Sequence, residues 1–100
     1  MIIHFSPQRC DDKLEYVFEG ETVTAVLNGV KDIFDFSSLG EGDEVAKNEE
    51  TRLLEIETTL PLLPILDARR EGGQIVVTVL KYHGKDAPVK DRFPEPLEVV

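Results

Sequence analysis

Leu14, Tyr16 and Phe18 alternate with Glu15, Val17 and Glu19, the period-two pattern of a strand with one face buried. Gly20 then permits a turn, and Val23, Ala25 and Leu27 carry the alternation on against Thr22, Thr24 and Val26. Asn28-Gly29 follows, a strong hairpin signal because a type I′ turn needs positive φ at both central positions. Ile33, Phe34 and Phe36, interrupted by Asp32 and Asp35, supply the returning strand. These segments predict a meander.

The second half is patterned less regularly. Leu54, Ile56 and Thr58 alternate with Glu55 and Glu57, but a short helix in 43–55 is an equal reading of the region before them. Pro61 and Pro64 exclude a central strand between them, since proline has no ladder donor. Ile65 to Arg70, a Glu71-Gly72-Gly73 turn and Gln74 to Tyr82 form a second hairpin. Ile75-Val76-Val77-Thr78-Val79-Leu80 is apolar on both faces and is assigned as the most buried strand. Pro88, Pro94 and Pro96 keep the C-terminal segment 86–100 extended, with Leu97, Val99 and Val100 suited to an edge strand. The expectation is a mainly β, single-domain antiparallel sheet or sandwich of hairpins over 1–100. Its strands lie near 1–6, 14–19, 22–28, 30–36, 64–70 and 74–82.

Charge adds a polarity to this picture. The 100 residues hold 11 Lys and Arg against 20 Asp and Glu, a formal net charge of −9. Such a balance opposes general binding to nucleic acid or to anionic membranes, which clustered Lys and Arg must hold. The first fifty residues contain 12 acids and 4 bases, the last fifty 8 acids and 7 bases. The densest stretch lies in 40–51 and reads as a solvated loop, because like charges repel and little there is apolar. The longest apolar runs fall far short of the ~20 residues a membrane helix needs, and the N-terminus has no secretory leader pattern. A cytoplasmic, soluble protein is expected.

Candidate chemistry is sparse. One cysteine excludes an internal disulfide and a Cys-only zinc site. His4, Cys10 and His83 lack the paired spacing that chelates a metal, so no metal or other cofactor is expected. Asp11-Asp12 and Asp32/Asp35 are the best carboxylate pairs for acid–base work, but the first adjoins a turn and the second should face water. Gly72-Gly73 reads as a turn and Gly40-Glu41-Gly42 as too acidic to cradle phosphate. Arg69-Arg70 with Lys81, Lys85 and Tyr82 is the one basic and aromatic group, read as a polar sheet face.

Three stretches together resemble a group of short proteins encoded among the tail genes of tailed bacteriophages and prophages. They are Ile3-His4-Phe5-Ser6-Pro7-Gln8-Arg9 with Asp11-Asp12, Phe34-Asp35-Phe36-Ser37-Ser38-Leu39, and His83-Gly84 through Ala87-Pro88 to Arg92-Phe93-Pro94-Glu95-Pro96. Residues 41–63 depart from the group, being longer and more acidic than its short link. The resemblance implies a non-enzymatic accessory or structural protein of the tail module, in the host cytoplasm or on the virion. Its partners would be other tail or assembly proteins, or further copies of itself. It carries over no catalytic residue. Arg92 and Phe93 are the candidate partner contacts, since arginine and aromatics are enriched at hot spots; the plainer reading packs Phe93 into the core. Two other classes remain as alternatives: an acidic, DNA-mimicking inhibitor of a host protein, and a small hydrolase using Asp11 or Asp12.

Overall fold

The computed structural model describes residues 1–89 and 94–99. Its strands are β1 (Ile2–Arg9), β2 (Leu14–Glu19), β3 (Thr22–Leu27), β4 (Val30–Asp35), β5 (Ile65–Glu71), β6 (Gln74–His83) and β7 (Leu97–Glu98). They form two sheets, one of three strands in the order β2-β3-β4 and one of four in the order β5-β6-β1-β7. The domain is mainly β, as the alternation predicts.

The three-stranded sheet is a meander on two tight turns. Asn28 and Gly29 have φ of 49° and 85°, the conformation an Asn-Gly turn is suited to. Val23, Ala25, Leu27 and Phe34 point inward and are buried, while Glu15, Val17, Thr24 and Ile33 point out. Ile3, Ile65, Ala68, Ile75, Val77 and Val79 answer from the four-stranded sheet, and all join one core with Val23 and Ala25.

In the four-stranded sheet β6 is central and buried on both faces at Val76, Val77, Val79 and Leu80. Its pairing with β5 is the expected hairpin, bulged between Ile65 and Asp67. Its pairing with β1 is parallel, setting Ile3 beside Val77 and Phe5 beside Val79. Hairpin logic does not foresee that pair, because a parallel partner is reached only by a long crossover. Here everything from β2 to β5 is the crossover. β7 then pairs antiparallel with the start of β1, so the tail does supply an edge strand.

Residues 43–55 hold no helix. Val45 donates to Ala68 O at 2.9 Å, and Asn48 and Glu55 donate to Leu53 O and Ala46 O, closing a small excursion around the Lys47–Leu54 bridge. Asn48 Oδ1 accepts from Glu50 and Thr51 N–H, and Arg52 stands at φ 63°. An asparagine that takes backbone donors for itself and a run of like charges without an apolar stripe both work against a helix. The acidic stretch is also better anchored than its composition suggests. Gly42 N–H donates to Arg70 O at 3.1 Å, Arg70 N–H to Asp43 O at 2.9 Å, and Glu44 bridges Arg69, so the segment lies along β5. Main-chain hydrogen bonds need no apolar side chain.

Candidate functional site

The parallel β1–β6 pair brings together two of the three stretches that carry the resemblance. Arg9 lies opposite His83, and Cys10 N–H donates to His83 O at 3.1 Å. Where the strands end, Cys10, Asp11, Asp12, Leu14, Tyr82 and Gly84 line an open depression of about 430 Å³. His83 Nδ1 lies 3.1 Å from Gly84 O, so the ring meets backbone, as expected of a histidine at a strand end. The Tyr82 hydroxyl is pushed up from its ordinary value by loss of water, then by Cys10 and Asp12 beside it. Asp11 and Asp12 are exposed, Asp11 facing Arg9 at 4.0 Å. His4 lies apart, its side chain exposed on β1. Among the described residues no three His, Cys, Asp or Glu are placed to hold a metal ion.

The basic and aromatic group is divided by the strand pleat. Arg69 faces out between Asp67 at 2.7 Å and Glu71 at 3.0 Å, and its guanidinium is held above its ordinary value first by Glu71. Arg70 turns inward and clasps the two sheets together. It meets both Glu21 oxygens, at 2.7 and 3.0 Å, while its Nε donates to Leu39 O. The same contact raises Arg70 and lowers Glu21 from their ordinary values. Lys81 sits over the Phe5 ring at 5.9 Å. The sequence does hold a signal for the clasp: Arg70 shares a face with Ala68, and an inward arginine requires a carboxylate.

Asp32 is not the free surface acid expected. Its carboxylate accepts from Ile33 N–H at 2.8 Å, the Thr58 hydroxyl at 2.8 Å and Thr59 N–H at 3.0 Å. Those donors, Thr58 first, hold it below its ordinary value. Asp35 stays exposed and accepts from Ser37 N–H, which lowers it likewise. The third stretch, Phe34 to Leu39, lines a cleft of about 230 Å³ completed by Val45 and Ile56. Glu41 closes over the β5–β6 turn, accepting from Gly72 and Gly73 N–H at 2.8 Å each.

The outer face of the three-stranded sheet is the most distinctive surface. Val17, Thr24 and Ile33 are in register across it, and Val17 and Ile33 are 55% and 57% exposed. Glu15, Val26 and Lys31 form the row on one side, Glu19, Thr22 and Asp35 the row on the other. Arg92 and Phe93, the partner contacts named from sequence, lie outside the described residues. Among the described residues no helix is long and apolar enough to cross a membrane. In comparisons with known proteins, the chain matches no family model, no curated protein and no solved structure.

Proposed function

We propose that the chain is a non-enzymatic accessory or structural protein of a bacteriophage or prophage tail module, working by contact with other tail or assembly proteins. The observation that carries this reading is the Val17–Thr24–Ile33 row on the outer face of the three-stranded sheet. Isolated exposed aliphatics are ordinary, but a row in register over three strands, rimmed by charge, is the surface a protein partner covers. The three stretches resembling tail-module proteins supply the biological setting, in the host cytoplasm or on the assembled particle.

The reading is tested by co-expressing the tagged chain with the products of its neighbouring genes. A tail protein should co-purify, and Ile33→Asp, exposed and remote from the core, should abolish its recovery. Failure of every tail protein to co-purify with the folded chain would overturn it.

One observation favours the alternative of an acidic inhibitor: Asp43 and Glu44 are ordered along β5 rather than loose in solvent. That reading requires the chain to compete with DNA for a DNA-binding protein, and the competition to fade with added salt.

A further inference from the structure

A sheet edge offers unpaired N–H and C=O groups to any passing strand, and proteins block such edges. Among the described residues, three of the four edges carry a stopper along at least part of their length. The β5 edge is taken by Gly42–Val45. The β1 edge is taken by β7 at its start, and Pro7 farther along has no N–H to offer a further strand. The β4 edge is plugged where its Ile33 N–H points outward, by Asp32 backed by Thr58 and Thr59.

The β2 edge differs. Glu19 and Thr22 close the β2–β3 turn, and Asn28 N–H donates to Lys13 O at 2.7 Å at the other end of the hairpin. In an antiparallel pair inward and outward residues alternate, so Leu14, Tyr16 and Phe18 direct their main-chain groups away from β3. Among the described residues no hydrogen bond reaches those groups. Their side chains are only half-buried, with Tyr16 stacked on Phe18 at 5.5 Å.

We propose that β2 pairs antiparallel with β2 of a second copy, about a two-fold axis at Tyr16, joining two three-stranded sheets into one of six. The register follows from charge. With Tyr16 opposite Tyr16, Lys13 meets Glu19 of the second copy and Glu15 meets Val17, and the symmetry makes each pair twice. Shifting the axis to Val17 sets Glu15 against Glu19, and shifting it to Glu15 sets that residue against itself. Like charges directly opposite are unfavourable, opposite charges favourable. Within Lys13–Glu19, the Tyr16 register alone of the three pairs Lys13 with an acid and leaves no like charges opposed. It also satisfies the outward main chain of Leu14, Tyr16 and Phe18 and covers the open sides of Leu14 and Phe18 with each other. An isologous contact of this kind closes on itself and stops at a dimer. It stands or falls independently of the tail-module reading.

Sedimentation equilibrium of the full chain, with amide hydrogen exchange at concentrations on either side of the transition, tests it. The contact is a small one, so a dissociation constant on the order of 1–100 µM is expected. The Leu14, Tyr16 and Phe18 amides should gain protection as the dimer forms. Lys13→Glu and Glu19→Lys, both at exposed positions, should each weaken the dimer about tenfold, and the two combined should restore it. A chain that stays monomeric to about 1 mM overturns the proposal. So does a dimer that leaves the Tyr16 amide unprotected or ignores the charge reversals.

Discussion

The three-stranded sheet is made of neighbours in the chain, each strand returning on the last through a two-residue turn. The four-stranded sheet joins β1 to β6 in parallel and closes on β7, so it exists only once both ends of the chain have met. Short loops close at low entropic cost and parallel crossovers at a higher one. The long-range sheet receives the more complete burial: β6 is covered on both faces, Gly42–Val45 lies along β5 and β7 along the start of β1. Among the described residues, nothing covers the outer face or the β2 edge of the local sheet. Local pairing alone can hold it in shape while one side stays in water, provided its inner face has a lid. The exposed Val17–Thr24–Ile33 row and the open β2 edge therefore both belong to the sheet that assembles most easily.

That division fails if the two sheets are separable, and Ile3→Ala is the strongest probe of it. Ile3 is fully buried in β1 and shares a core with Val23, Ala25 and Phe34 of the other sheet. Truncation should cost about 3 kcal/mol in a urea titration, the usual range for a buried aliphatic cut to alanine. Tryptophan is absent, so far-ultraviolet circular dichroism and β3 amide exchange serve as the signals. Both sheets should be lost in one transition. Persistence of β3 protection after the β6 amides exchange would show a meander stable by itself.

The same division governs what could be read from sequence. The hairpins were legible because each strand, its turn and its partner lie within one short window. Asn28-Gly29 and the Leu14–Phe18 alternation needed no knowledge of the rest of the chain. The parallel β1–β6 pair was not legible, since nothing local to Ile2–Arg9 selects β6 over another apolar strand. Asp32 departs from the expected free acid for a related reason. Its partners Thr58 and Thr59 come from the crossover, and spacing in sequence says nothing of that meeting. The sequence groups Ile33 with Phe34 and Phe36, and only the register separates it from them and sets it in the outward Val17–Thr24–Ile33 row. Residues 52–60 show a subtler limit: Leu54, Ile56 and Leu60 turn inward by rough alternation without belonging to a named strand.

A smaller effect compares the turns of the two sheets. Gly29 and Gly73 have φ of 85° and 80°, and a Cβ at either would meet nothing within 4 Å. The cost of Gly29→Ala or Gly73→Ala is therefore backbone strain alone, about 1 kcal/mol each by denaturant midpoint. A much larger loss at Gly73 would reveal that Glu41, which accepts the Gly72 and Gly73 N–H groups, contributes through the same turn. Similar losses would leave Glu41 as a surface strap.

The smallest effect tests the clasp between the sheets. Arg70 on β5 holds Glu21 from the β2–β3 turn, and its hydrogen bonds lower the Glu21 carboxyl below the ordinary 4.5. A folded-state value lowered in this way adds stability that is present above 4.5 and lost as pH falls through the folded value. Wild type should therefore lose stability as pH falls below 4.5, and Glu21→Gln should lose less over that window. The variant starts lower at neutral pH and the two curves converge in acid. Asp32 and Asp35, also lowered, leave the variant a residual slope below their ordinary 3.8. Urea midpoints across the window decide the matter. Parallel curves would mean the clasp adds no net stability and the shared apolar core alone joins the sheets. Convergence would mean that an exposed turn of the local sheet is tied electrostatically to the long-range one, and that acid loosens them at the same place.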